Sequence, residues 1–142
     1  MDANQEFTHI VKKAACIALA NLMDGLPNVR IVNHCADAGR PGVIYFSTRR
    51  GSEKTTEFEK DEKVAFSTVP MPADGHAHVR SKNATVRKSD FSMDEVKDLF
   101  IAQISGFEQT LAVIGRFLDV YEIHVREADV ILGPSQTVTV RF

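Results

Sequence analysis

Apolar residues recur at helical spacing at Phe7, Ile10, Val11, Ala14 and Ala15, which predicts an amphipathic helix from about Ala3 to Ala14. The period then changes. Cys16 to Met23 is apolar and β-prone, Asp24-Gly25 marks a tight turn, and Asn28 to Cys35 resumes as a second strand. Turn-rich Ala36 to Gly42 leads into a third strand at Val43 to Phe46, so three adjacent antiparallel strands are expected. A short helix follows at Ser52 to Lys60, then a strand at Val64 to Val69 and a loop at Pro70 to Gly75. His76 to Lys88 is a long strand with polar residues on both faces, which suits the lining of a cavity better than a sealed core. Ser92-Met93-Asp94-Glu95 is a capping box, and Val96, Leu99, Phe100 and Ile104 form the apolar face of the helix it opens. Gly106 to Gly115 fits a short helix or an irregular segment. Alternation at Tyr121, Ile123 and Val125, and again at Val138, Val140 and Phe142, predicts two closing strands.

Six or seven short strands with few helices would leave many bare edges. Closure into a small antiparallel β-barrel with flanking helices, mainly β in class, is therefore the expected architecture for residues 1–142 as one domain. At 142 residues the chain can bury a core but is small to enclose a substrate alone, which favours a site shared by two copies. Hydrophobic residues at 44 % and charged residues at 25 % are ordinary globular values, and no apolar run is long enough for a membrane span. Asp2 and Glu6 stand where a secretory signal places positive charge, so the cytoplasm is the expected location. Cys16 and Cys35 form no Cys-x-x-Cys pair and read as reduced thiols.

Chemistry concentrates after the third strand. Ser47, Thr48, Arg49, Arg50, Gly51, Ser52 and Lys54 crowd hydroxyls, cations and a glycine where a helix begins. Free amides and the positive end of the helix dipole favour an anion there, and lysine and arginine add charge-assisted bonds to phosphate oxygens. The same residues would equally make a solvated basic turn with Ser52 as N-cap. The spacing is not that of a Walker loop.

The order of these features resembles the pyridoxamine 5′-phosphate oxidase-like split-barrel superfamily. Arg30-Ile31-Val32 is similar to its Arg-x-Val strand, and Phe46-Ser47-Thr48 with Gly51-Ser52-Glu53-Lys54 is similar to its phosphate-binding turn. The resemblance implies a six- to seven-stranded antiparallel split barrel holding FMN at a homodimer interface. It assigns the phosphate to Arg30 and Lys54, hydroxyl contacts to the turn residues Ser47, Thr48 and Ser52, and ring contacts to Ile31, Val32, Asn33 and His78. An FMN-dependent oxidoreductase acting on an unassigned small molecule is the implied activity. The alternative is a non-catalytic carrier of FMN, of the deazaflavin F420 or of haem. Glu53 stands where many relatives carry a cation, Cys35 where the vitamin B6 oxidases have lysine, and His78 where they have glutamine. The carboxy-terminal arginine and histidine pair that binds their substrate has no match, so vitamin B6 oxidation is not expected. The small general-stress and nitroimidazole-resistance branches are the better likeness.

His76 and His78 share one side of a strand, but no third metal ligand is recognisable, and no metal is assigned. His34 shares parity with Arg30 and is read as a hydrogen-bonded structural histidine ahead of a proton donor. Arg80, Lys82, Arg87 and Lys88 carry no nucleic-acid motif, and the formal charge of −2 offers no general attraction to nucleic acid. They read as a solvated face or the rim of a site for an anionic substrate.

Overall fold

The computed structural model describes residues 2–142. Asp2 opens the first helix, α1 (Ala3–Lys13), through a capping box with Gln5 and turns Phe7, Ile10 and Val11 inward. Asp24 and Gly25, both with positive φ, then join β1 (Cys16–Met23) to β2 (Leu26–Val32) as the tight hairpin that this dipeptide favours.

The expected second strand is divided. Beyond β2, Asn33 interrupts the pairing and His34 and Cys35 form a separate short strand, β3 (His34–Cys35). The remaining strands are β4 (Val43–Arg49), β5 (Lys63–Val69), β6 (His78–Lys88), β7 (Leu118–Gly133) and β8 (Gln136–Arg141). Their antiparallel order is β2-β1-β5-β6-β7-β4-β3, with β8 added to β7. The expected row of three adjacent strands is thus corrected: β4 lies beside β7, from Val43 opposite His124 to Arg49 opposite Leu118, and touches the second strand only through β3. Because β2 and β3 are one continuous segment found at both ends of the path, the sheet curls back on itself as a split barrel.

Ile17, Leu19, Phe46, Phe66 and Ile123 fill the barrel. Phe58 from α2 (Glu53–Lys60) closes one end against Phe46 and Tyr121, with ring centres 6.0 Å from each. Burying each such side chain contributes about 1.5–3 kcal/mol. A second apolar cluster lies outside, where Phe100 of α3 (Met93–Gln103) and Phe107 of α4 (Phe107–Ile114) cover Cys35, Tyr45 and Leu118. Gly106, at φ +75°, makes the sharp link between these helices and settles the Gly106 to Gly115 segment as helix.

One buried carboxylate ties the loop before β4 to β7. Glu122 accepts from both Arg40 Nη atoms at 3.0 and 3.3 Å, from Ser89 Oγ at 2.7 Å and from His124 Nε2 at 2.7 Å. Burial alone would push this carboxyl up. The hydrogen bonds from Arg40, Ser89 and His124 and the charge of Arg40 outweigh burial and hold it at about 2. Among the described residues no helix is long and apolar enough to cross a membrane.

Candidate functional site

The turn after β4 is built by local geometry. Gly51, at φ +78°, supplies the left-handed step that other residues resist, and the amide of Ser52 donates back to Arg49 at 3.1 Å. Ser52 is then the N-cap of α2, yet its side chain makes no capping bond. Its hydroxyl lies 2.9 Å from that of Thr48 instead. Thr55 takes over the turn by bonding to the carbonyl of Ser52 through both its amide, at 3.1 Å, and its hydroxyl, at 2.6 Å. Among the described residues, the amides of Glu53 and Lys54 have no protein acceptor. Two free donors, two hydroxyls and a lysine therefore surround the start of α2.

A cleft of about 390 Å³ opens from this turn. Its polar end is Ser47, Thr48, Arg49, Ser52 and Lys54. One long wall is Ile31, Val32 and Asn33, from the end of β2 and the break beyond it. The facing wall comes from the segment joining α3 to α4 and from α4 itself, where Ile104, Phe107 and Ile114 are the apolar members. The volume lies at the low end for a small-molecule site, and the cleft is open to solvent.

Lys54 is half-buried and among the described residues has no hydrogen bond or ion pair. Burial pulls its pKa down, and the positive charge of Arg30 pulls it further. Lys54 and Arg30 are thus electrical neighbours. Arg30 itself does not line the cleft: its Nη2 donates to Glu57 Oε2 at 2.6 Å, and its Nε is buried without a partner. Glu57 is buried on α2 and also receives weak bonds from Asn21 at 3.4 Å and Asn28 at 3.5 Å.

Of the residues singled out in sequence, Ile31, Val32, Asn33, Ser47, Thr48, Ser52 and Lys54 come together in one cleft, and Arg30 lies behind its wall. His78 does not join them within one chain. It opens β6 opposite Ile131, at the other end of β7 from Leu118, and its Nδ1 donates to the carbonyl of His76 at 2.7 Å. His34 is buried with its Nε2 donating to the Val11 carbonyl at 2.6 Å, and burial lowers its pKa despite that bond, which is a structural role. Burial pushes the Cys35 thiol up to about 12, far from a redox-active thiolate. From exposed positions, Arg80, Arg87 and Lys88 reach Asp129, the buried Glu122 and Asp119 at 3.6, 3.8 and 3.5 Å.

Sequence reasoning missed two contributors. Glu57 looked like one more charge on a polar helix, and the α4 wall gave no chemical signal because its members are ordinary apolar residues.

A protein-family model described as pyridoxamine 5′-phosphate oxidase-like matches residues 10–136. No curated protein matches the chain in sequence. Solved structures share its fold. A heme binding protein from Mycobacterium smegmatis superposes with a TM-score of 0.78 at 13 % identity over 99 % of this chain, which spans only 58 % of that protein. A NimC/NimA family protein from Clostridium acetobutylicum gives 0.70 at 14 % identity, over 99 % of this chain and 95 % of the other. General stress protein 26 from Bacillus anthracis gives 0.65 at 13 % identity, with both chains fully covered at 100 %.

Proposed function

Since this chain belongs to the pyridoxamine 5′-phosphate oxidase-like family, we propose that it is a flavoprotein that anchors FMN through Lys54 and works as an FMN-dependent oxidoreductase on a small organic substrate. The observation that carries this reading is Lys54: a half-buried cation with no anionic partner among the described residues, set at a helix N-terminus beside two hydroxyls. A phosphate satisfies all of these donors at once. The apolar end of the same cleft, at Ile104, Phe107 and Ile114, suits a flat ring, and the backbone of Ile31, Val32 and Asn33 supplies polar groups along its edge.

Bound FMN supplies the hydride or electron transfer itself. The chain's own residues bind, orient and exclude water. Lys54 and the free amides would hold the phosphate, and residues of β2 and α4 would flank the ring.

Haem, the ligand named for the mycobacterial neighbour, fits this cleft less well. Among the described residues, the lining that one copy supplies holds no histidine, methionine, cysteine or tyrosine to ligate iron. The deazaflavin F420 would use the same phosphate cradle, and its absorption spectrum distinguishes it.

A second copy of the chain completes the site in this proposal. Leu26, Val29 and Ile31 are 71 %, 64 % and 62 % exposed along β2, the strand that ends the sheet path, and Ile31 lines the cleft. An apolar edge of this kind is normally covered. His78 would reach the flavin only from the partner copy.

Purified protein tests the reading directly. Flavin absorption, or saturable FMN uptake by colourless protein, is the expected result, and NAD(P)H oxidation with candidate acceptors separates turnover from simple carriage. Protein that takes up no FMN refutes it.

A further inference from the structure

The Arg30–Glu57 pair lies behind the cleft, outside both its lining and the apolar barrel core. Glu57 is buried on α2, three residues after Lys54 and so on the same face of the helix, one turn deeper. Its carboxylate takes the Nη2 of Arg30 at 2.6 Å. Arg30 directly precedes Ile31, the first residue of the cleft wall, and its charge is felt at Lys54, whose amine is already burdened by burial. An Arg30–Glu57 ion pair thus lies beside the proposed phosphate cradle, with the charge of Arg30 acting on Lys54.

This arrangement has two consequences of opposite sign. The carboxylate pairs the partly buried charge of Arg30, which supports the fold. It also engages Nη2 of Arg30 and sets a negative charge near an incoming dianion, which opposes phosphate binding. We infer that Glu57 is an internal competitor for Arg30 that limits how tightly the cleft holds a phosphate. The inference rests on the phosphate reading of the cleft given above, but not on the phosphate being that of FMN.

The test compares wild type, Glu57→Gln and Glu57→Asp by thermal unfolding with and without inorganic phosphate, and by titration with inorganic phosphate and with FMN. Glu57→Gln is expected to unfold at a lower temperature yet to be stabilised more by phosphate. Its dissociation constants should fall about three- to tenfold, the scale for removing one like charge at partly screened range. A purely structural role would weaken folding and binding together. Phosphate or FMN affinity equal to or below that of wild type overturns the inference.

Where Glu57→Gln does not fold, Glu57→Asp carries the test, because it keeps the charge but falls one methylene short of Arg30. A smaller gain in affinity is then expected, and an unchanged or weakened one overturns the inference. In the Glu57→Gln background, Arg30→Gln should remove most of the gain; a gain undiminished by it also overturns the inference. Tighter inorganic phosphate binding by Glu57→Gln in a protein that binds no FMN would end the flavin reading and leave this inference standing.

Discussion

Replacing Lys54 with methionine removes the one half-buried cation of the cleft that has no partner among the described residues, while keeping most of its aliphatic stem. A hydrogen bond to a charged group contributes about 1.5–3 kcal/mol, so FMN affinity should fall about ten- to a hundredfold. Titration of protein into FMN, followed by flavin fluorescence, measures this directly. The pH profile adds a sharper requirement. Burial and Arg30 lower the pKa of Lys54 in the folded protein, so its ammonium is lost at lower pH than an ordinary lysine would lose it. Binding needs that ammonium, so affinity should decline as pH rises through the lowered value, and methionine should abolish this alkaline limb. The same shift bears on stability. A lysine whose folded pKa is depressed costs stability wherever it is charged, and the cost disappears as pH rises past the unfolded value of 10.5. Lys54→Met should therefore unfold at a higher temperature than wild type near neutral pH while binding FMN more weakly. An unchanged dissociation constant, or an alkaline limb that persists in the variant, would refute the assignment of Lys54 to the phosphate.

Three further outcomes follow from other parts of the molecule. Glu122→Ala should destabilise the fold by about 3 kcal/mol in urea unfolding, because it leaves Arg40 and Ser89 without their shared acceptor. In wild type, the stability that Glu122 supplies is complete above its ordinary value of 4.5 and is lost as pH falls through about 2, so acid unfolding of Glu122→Ala should lack that component. Val29→Glu, placed in the exposed apolar strip of β2, should convert a dimer to monomers by sedimentation and weaken FMN uptake; a variant that remains dimeric counts against this edge as the interface. Cys35, wholly buried with its pKa raised to about 12, should stay unreactive to thiol reagents in native protein and react on unfolding.

The elements were legible where one local rule decided them. Asp24-Gly25 specifies its hairpin, Ser92 and Glu95 specify the start of α3, and both are found as the sequence implies. Strand order was not legible, because partner choice depends on contacts between segments far apart in sequence. Nothing in Val43 to Arg49 reveals that its partner is Leu118 to His124, or that β7 continues to Gly133. Asn33 likewise reads as one more strand residue, although it is where the chain leaves β1 to join β4 and close the barrel.

The site divides along the same line. The hydroxyls and Lys54 lie within one turn about Gly51, so their sequence order already fixes their spatial cluster, and they line the cleft. Arg30 was legible as a cation near the site but not as one already engaged, because its engagement depends on Glu57 reaching across from another element. Composition therefore overstates the positive charge offered to a ligand at this cleft. With Arg30 matched by Glu57, and Glu53 at the first position of α2, Lys54 and Arg49 are the cations left on the cleft lining. A dianionic phosphate held there must draw much of its stabilisation from the amides and hydroxyls at the start of α2. That balance predicts a shallower dependence of affinity on salt than a count of cations in the sequence would suggest.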